Sequence, residues 1–281
     1  MALAENQGTK IYWDEQGEGT PLLLIMGLGW TSHMWYRTRP VLAAQFRTIA
    51  FDNRGVGQSD VPPGPYPLAL MASDAAAVLD AAGVERAHVC GMSMGGMIAQ
   101  EFALQYPHRV RSLILGCTAP GGPNAVQADR EVIDLLLAPR RDPEEMARAI
   151  HPYIYDAGTP DARKEEDLAV RRPWFPTAEG YFAQLQGIMA WEAYSRLPQI
   201  TAPTLVIHGE TDRLVPPENG RRIAARIPNA QLVMISRASH IFPTDQQEAA
   251  HRAMLNFLAE QTNDRRQPQG GAVRATSQKL C

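Results

Sequence analysis

The chain has 281 residues, with 27 Lys and Arg against 30 Asp and Glu, a net formal charge of −3 and a pI near 6.2. That near balance, without a basic cluster, excludes the strongly positive face of a nucleic-acid binder, and no apolar run reaches the roughly 18 residues of a transmembrane helix. The first 14 residues carry no apolar signal core, so the chain reads as cytoplasmic and unexported, with neither a nucleic-acid nor a membrane partner.

Taken in chain order, residues 9–14 followed by the turn residues 15–20 predict an antiparallel edge strand feeding the first parallel one. Residues 21–26, 47–51, 87–91, 110–116, 203–208 and 231–236 are short and mostly apolar, which suits parallel strands buried on both faces. Amphipathic stretches at 32–45, 67–82, 94–106, 217–227 and 245–260 predict helices between and after them. This alternation predicts an α/β protein built on a mostly parallel, doubly wound sheet with right-handed crossovers.

Residues 120–198 break the rhythm. They hold no strand-like run, and Pro139, Pro143, Pro152, Pro160, Pro173 and Pro176 divide their helical pieces. The pattern predicts an inserted helical lid over 120–198, with residues 1–119 and 199–261 forming the core domain. The stretch 262–281, polar and rich in Gln, Arg and Gly, reads as a disordered tail. Of the three cysteines, Cys90 and Cys117 end apolar runs and read as buried thiols, while Cys281 is in the tail. No Cys-x-x-Cys or His-Glu-x-x-His spacing occurs, so no metal is implied.

The most informative feature is Gly91-Met92-Ser93-Met94-Gly95, a serine between two glycines directly after an apolar run. This is the pattern of a nucleophile elbow, in which the serine stands on a strained strand-to-helix turn where side chains at the flanking glycines would collide with backbone. The helix that follows would set its N-terminus, and the Met94 N–H, beneath a reacting carbonyl. A serine hydroxyl needs a base, and the base needs an orienting acid. His240 lies just past the last strand, at the edge where open α/β sheets meet ligands, and is read as the base. His251, within the last helix, is read as an exposed helical histidine. His208-Gly209-Glu210-Thr211-Asp212 offers two carboxylates at the end of the preceding strand. Asp212, with more reach toward the His240 loop, is read as the acid, and Glu210 as its solvated neighbour. The alternative place for an acid, one strand earlier, ends in Gly116-Cys117-Thr118-Ala119-Pro120 and has no carboxylate.

The loop Met26-Gly27-Leu28-Gly29-Trp30 is the expected source of the second oxyanion donor, the Leu28 N–H facing that of Met94. Met26 and Trp30 on this loop, and Tyr153, Trp174 and Trp191 from the aromatic-rich lid, are candidate substrate contacts. Residues 52–59 hold two glycines in a phosphate-loop-like run, but lack the third and any following lysine. They read as a structural turn braced by Arg54.

On Phe51-Asp52-x-Arg54-Gly55-x-Gly57-x-Ser59, Gly91-Met92-Ser93-Met94-Gly95-Gly96, His208-Gly209-x-x-Asp212 and Ser239-His240, the chain resembles the α/β-hydrolase family, specifically its esterase, haloperoxidase-like and 3-oxoadipate enol-lactonase branch. The resemblance spans about residues 9–260. It implies an α/β-hydrolase fold, Ser93 as nucleophile, His240 as base, Asp212 as acid, the Leu28 and Met94 N–H groups as oxyanion hole, and no cofactor. Many relatives have His-Gly where this chain has Met26-Gly27. Dehalogenases and epoxide hydrolases of this fold carry aspartate at the elbow, so Ser93 excludes both.

The expected activity is cleavage of a small-molecule carboxylic ester or lactone through an acyl-enzyme. A dicarboxylate enol-lactonase is the first alternative, with Arg140, Arg141, Arg171 or Arg172 as the cation for a free carboxylate. Perhydrolysis and carbon–carbon bond hydrolysis would use the same residues, and a ligand receptor on a hydrolase fold is the most distant alternative. The sequence does not give the oligomeric state.

Overall fold

A computed structural model describes residues 2–138 and 142–263. The strands are β1 (Ala2–Asn6), β2 (Thr9–Gln16), β3 (Thr20–Ile25), β4 (Phe46–Phe51), β5 (Ala87–Met92), β6 (Val110–Gly116), β7 (Thr204–Gly209) and β8 (Gln231–Ile235). They form one sheet in the order β1-β2-β4-β3-β5-β6-β7-β8. The pairs β1·β2 and β2·β4 are antiparallel, and the rest are parallel. All six expected parallel strands are therefore present in a doubly wound sheet.

The helices, in chain order, are α1 (Arg39–Ala43), α2 (Leu68–Ala81), α3 (Met94–Gln105), α4 (Arg130–Leu137), α5 (Pro143–Ala149), α6 (His151–Ile154), α7 (Asp161–Arg171), α8 (Ala178–Met189), α9 (Glu218–Arg226), α10 (Phe242–Asp245) and α11 (Gln247–Asn263). Strand side chains alternate between two apolar layers. Leu23, Ile25, Val89, Leu113 and Val206 pack with α2, α3 and α9, whereas Leu22, Leu24, Cys90, Ile114 and Ile207 pack with α1 and α11. The chain leaves the sheet after β6, passes through α4–α8 and rejoins it at β7.

Four expectations need correction. The edge strand is β1, not β2, because the Gln7-Gly8 pair takes the left-handed backbone (φ 51° and 76°) of a two-residue hairpin and returns β1 onto β2. Helix 32–45 divides into a 3₁₀ turn, Ser32–Arg37, and α1, with the imino residue Pro40 in the first turn of α1, where an N–H is not needed. The last helix divides at Gln246 (φ −134°) into α10 and α11, and α11 continues to Asn263, into the expected tail. At the sheet edge β8 is only partly covered, with Gln231 and Leu232 exposed. Residues 264–281, with Cys281, and Arg140 and Arg141 lie outside the described residues.

The 52–59 turn folds around Asp52, whose carboxylate accepts from the Ser32 N–H (2.8 Å) and the Gln58 N–H (2.9 Å). Arg54 braces it through a buried two-point pair with Asp74, at 2.6 Å for each contact. Removing one member of such a pair strands the other charge. Asp74→Ala is therefore expected to cost about 3–5 kcal/mol in urea unfolding, and a loss below about 1 kcal/mol would contradict this role for Arg54.

Candidate functional site

At the carboxyl end of β5 the chain turns into α3 through Ser93, which has φ 57° and ψ −121°. A non-glycine residue holds such angles only where its surroundings leave no alternative. Here a Cβ at Gly91 would collide with the Gly95 carbonyl, and one at Gly95 with the Ile25 carbonyl. The Ser93 N–H donates to Gly116 O (2.9 Å), and its carbonyl accepts from the Thr118 hydroxyl (2.7 Å).

The loop after β3 passes directly over this serine, since a Cβ at Gly27 would stand 3.0 Å from Ser93 Cβ. Leu28 and Met94 both line the cavity above it. Met94 is the first residue of α3, so its N–H has no intrahelical partner. Among the described residues, neither the Leu28 nor the Met94 N–H donates a backbone hydrogen bond.

Asp212 is fully enclosed. Its Oδ1 accepts from the Leu214 and Val215 N–H groups (2.9 and 2.8 Å), and its Oδ2 accepts from His240 Nδ1 at 2.8 Å. A second imidazole, His208 on β7, places Nε2 at 3.2 Å from the same Oδ2 and at 2.8 Å from the Val215 carbonyl. The shorter contact marks the carbonyl as the main acceptor of that N–H. Sequence reading missed His208, whose only signal was a histidine at i−4 from the acid. Glu210 is exposed, as expected of a solvated neighbour.

Burial opposes charge on both members of the Asp212–His240 pair. Each nevertheless favours its charged form: the imidazoles of His240 and His208 hold the carboxyl below its usual range, and Asp212 lifts His240 well above the ordinary imidazole value. The Cys117 thiol beside the ring adds to that lift. The Asp212 contact engages Nδ1 and leaves Nε2 as the ring's other nitrogen. No hydrogen bond joins Ser93 Oγ to the ring, and bonds of this kind are often long until substrate is bound.

The His240 loop is stitched to the segment between β6 and β7. Ser239 N–H donates to Asp245 (2.7 Å), which also accepts from the Thr159 hydroxyl (2.5 Å), and Ile241 N–H donates to the Ile154 carbonyl (2.9 Å). The Thr244 hydroxyl reaches Asp167 of α7 (2.7 Å), which also binds Tyr36, Arg37 and Tyr155.

Ser93 and His240 open into one cavity of about 510 Å³, whose wall is mostly apolar. Met26, Leu28, Trp30 and Met94 line it. Tyr153, Trp174 and Trp191 do not. Tyr153 lies under the Arg213 guanidinium (4.8 Å), Trp174 stacks flat on His33 (4.4 Å), and Trp191 is buried with its indole N–H on Glu101 (2.8 Å). Instead, seven of the eleven methionines line the cavity: Met26, Met34, Met92, Met94, Met97, Met146 and Met189. Three of these flank Ser93 in the sequence and could have been read there. Of the candidate arginines, Arg171 lines the wall, over the rings of Trp30 (5.1 Å) and Phe175 (5.3 Å), and Arg172 pairs with Glu144 (2.7 Å) away from it. His251 is buried rather than exposed, its Nε2 lying 3.3 Å from the Thr38 hydroxyl, and burial lowers its affinity for a proton.

A family model described as the alpha/beta hydrolase fold matches residues 20–245. A poly(3-hydroxyalkanoate) depolymerase of Ectopseudomonas oleovorans is 35% identical over 86% of this chain and 85% of its own. A 2-hydroxy-6-oxononadienedioate/2-hydroxy-6-oxononatrienedioate hydrolase of Burkholderia vietnamiensis is 34% identical over 89% of this chain and 91% of its own. Among solved structures, an enol-lactonase from Burkholderia xenovorans superposes with a TM-score of 0.82 at 28% identity, over 92% of this chain and 99% of its own.

Two of the buried histidines, His240 and His251, are shifted in opposite directions from the ordinary imidazole value of 6.5. As pH rises, His251 is expected to lose its proton first, below 6.5, and His240 last, above it. Histidine ring resonances followed by NMR, assigned with His251→Asn, test the order. Simultaneous titration, or His240 titrating first, would contradict the pairing with Asp212.

Proposed function

The chain belongs to the α/β-hydrolase family, and from that premise we propose that it is a serine hydrolase cleaving an uncharged carboxylic ester or lactone. The observation that carries the proposal is the 2.8 Å His240–Asp212 contact in the cavity that receives Ser93. Ser93 Oγ attacks the carbonyl carbon while His240 Nε2 takes its proton, and the Leu28 and Met94 N–H groups receive the oxygen that becomes negative. The alkoxide leaves with the proton from His240, and the acyl group remains on Ser93. Water then attacks with the same base, returning the hydroxyl and releasing the acid. Asp212 fixes the tautomer and stabilises the imidazolium. The described residues of the 120–198 segment act as a lid that supplies much of the acyl wall.

The cavity falls within the roughly 300–1,000 Å³ typical of small-molecule sites. Its methionines are flexible and polarisable, which suits aliphatic chains of varied shape. Two similar proteins are named for compatible bonds, one for a polyester and one for an enol-lactone. A lactone bearing a free carboxylate is the second reading, favoured by Arg171 in the wall. It is the weaker one, because Arg37, the other wall cation, is paired with Glu166 and Asp167.

With p-nitrophenyl esters, Ser93→Ala is expected to reduce kcat by at least about 10⁴-fold, and Asp212→Asn by about 10⁴-fold through the wrong tautomer. Activity retained by Ser93→Ala would exclude the mechanism. Each added acyl methylene is expected to raise kcat/KM about two- to fourfold until the chain fills the cavity. A preference for acetate, or for an acyl chain ending in carboxylate, would overturn the apolar-substrate reading.

A further inference from the structure

Helix α8 carries Gly180, Ala183, Gln184 and Gly187 on one face, at i, i+3, i+4 and i+7. That face rests on core backbone: a Cβ at Gly180 would collide with the Gly55 carbonyl, and one at Gly187 with the Tyr66 carbonyl. Tyr66 N–H donates to the Ala183 carbonyl across the same contact (3.0 Å). From its centre the fully buried Gln184 side chain joins two separate loops. Oε1 accepts from the Gly29 N–H at 2.9 Å, and Nε2 donates to the Arg54 carbonyl at 2.8 Å. Reversing the amide would oppose donor to donor and acceptor to acceptor, so these partners fix its orientation.

Gly29 follows Leu28 directly, is buried, and has φ +68°. Its N–H belongs to the peptide unit joined to Leu28, so whatever binds that N–H sets the rotation of the turn presenting the Leu28 N–H to Ser93. Without Gln184 the Gly29 N–H would be a buried donor lacking an acceptor, a condition that drives a loop to rotate.

We propose that Gln184 is a positioning residue of the oxyanion hole. By binding the Gly29 N–H it holds the Leu28 N–H over Ser93, and so ties the docking of α8 to the strength of the hole. The inference rests on the serine-hydrolase reading above.

The test compares Gln184→Met, which keeps the volume and loses both the acceptor and the donor, with Gln184→Glu, which, as the neutral acid that full burial favours, keeps the acceptor oxygen for Gly29 and an O–H for the Arg54 carbonyl. Two measurements separate positioning from packing: the kcat and KM of a p-nitrophenyl ester, and ¹⁹F NMR of the hemiketal that Ser93 forms with an alkyl trifluoromethyl ketone. Gln184→Met is expected to lower kcat about 10- to 100-fold, less than or comparable to complete loss of an oxyanion donor, with KM within about twofold. It is also expected to raise the pH at which the hemiketal ionises, whereas Gln184→Glu recovers most of both. If Gln184→Met does not fold, Gln184→Asn, one methylene too short to reach Gly29, carries the same expectation. Unchanged kcat and hemiketal ionisation in Gln184→Met, or equal losses in Gln184→Glu, would overturn the positioning role. Failure of the wild-type protein to form any hemiketal would overturn the serine-hydrolase reading itself, and the inference with it.

Discussion

Everything at the candidate site depends on one local constraint, the left-handed backbone of Ser93 between β5 and α3. Strain of this kind costs on the order of 1–3 kcal/mol and persists only where the surroundings over-determine it. The surroundings do so through close backbone approach: Gly91 against Gly95, Gly95 against the end of β3, and the Gly27 loop across the serine. The same crowding brings Leu28 and Met94 to one cavity with Ser93. A single turn thus fixes the hydroxyl and both candidate oxyanion donors, and it needs the sheet order β3-β5-β6 to do it.

The second half of the site is electrostatic. Asp212 is buried, and burial alone would favour the neutral acid. Two backbone N–H groups and two imidazoles keep it ionised, and the ionised carboxylate in turn orients His240. The loop bearing His240 has little freedom of its own, because Asp167 and Asp245 tie it to the segment between β6 and β7. That segment therefore both walls the cavity and steadies the histidine. Its helix α8, pressed backbone to backbone on the core, lies nearer to a strut than to a flap.

How much of this could be read from sequence follows from how local each signal is. The elbow, the parallel strands and the order Ser93, Asp212, His240 are encoded within a few residues of each position, and they were legible. The β1 hairpin rested on the Gln7-Gly8 pair alone, too small a signal beside the stronger run that follows it. Partners brought together by distant elements left no trace. His251 on Thr38 and Gln184 on Gly29 join positions 213 and 155 residues apart. For the same reason aromatic content misled. Trp174 and Trp191 looked like substrate contacts, yet their ring faces and N–H groups are satisfied elsewhere, while unbranched methionines fill the wall.

The central claim is that Ser93 carries the acyl group. The most direct measurement is mass spectrometry of the protein quenched in acid during turnover of a p-nitrophenyl alkanoate, followed by peptide mapping. The account predicts the acyl mass on the peptide containing Ser93, present during turnover and gone once substrate is exhausted. Hydrolysis proceeding with no acyl adduct at any time, or with the adduct on another residue, would contradict it.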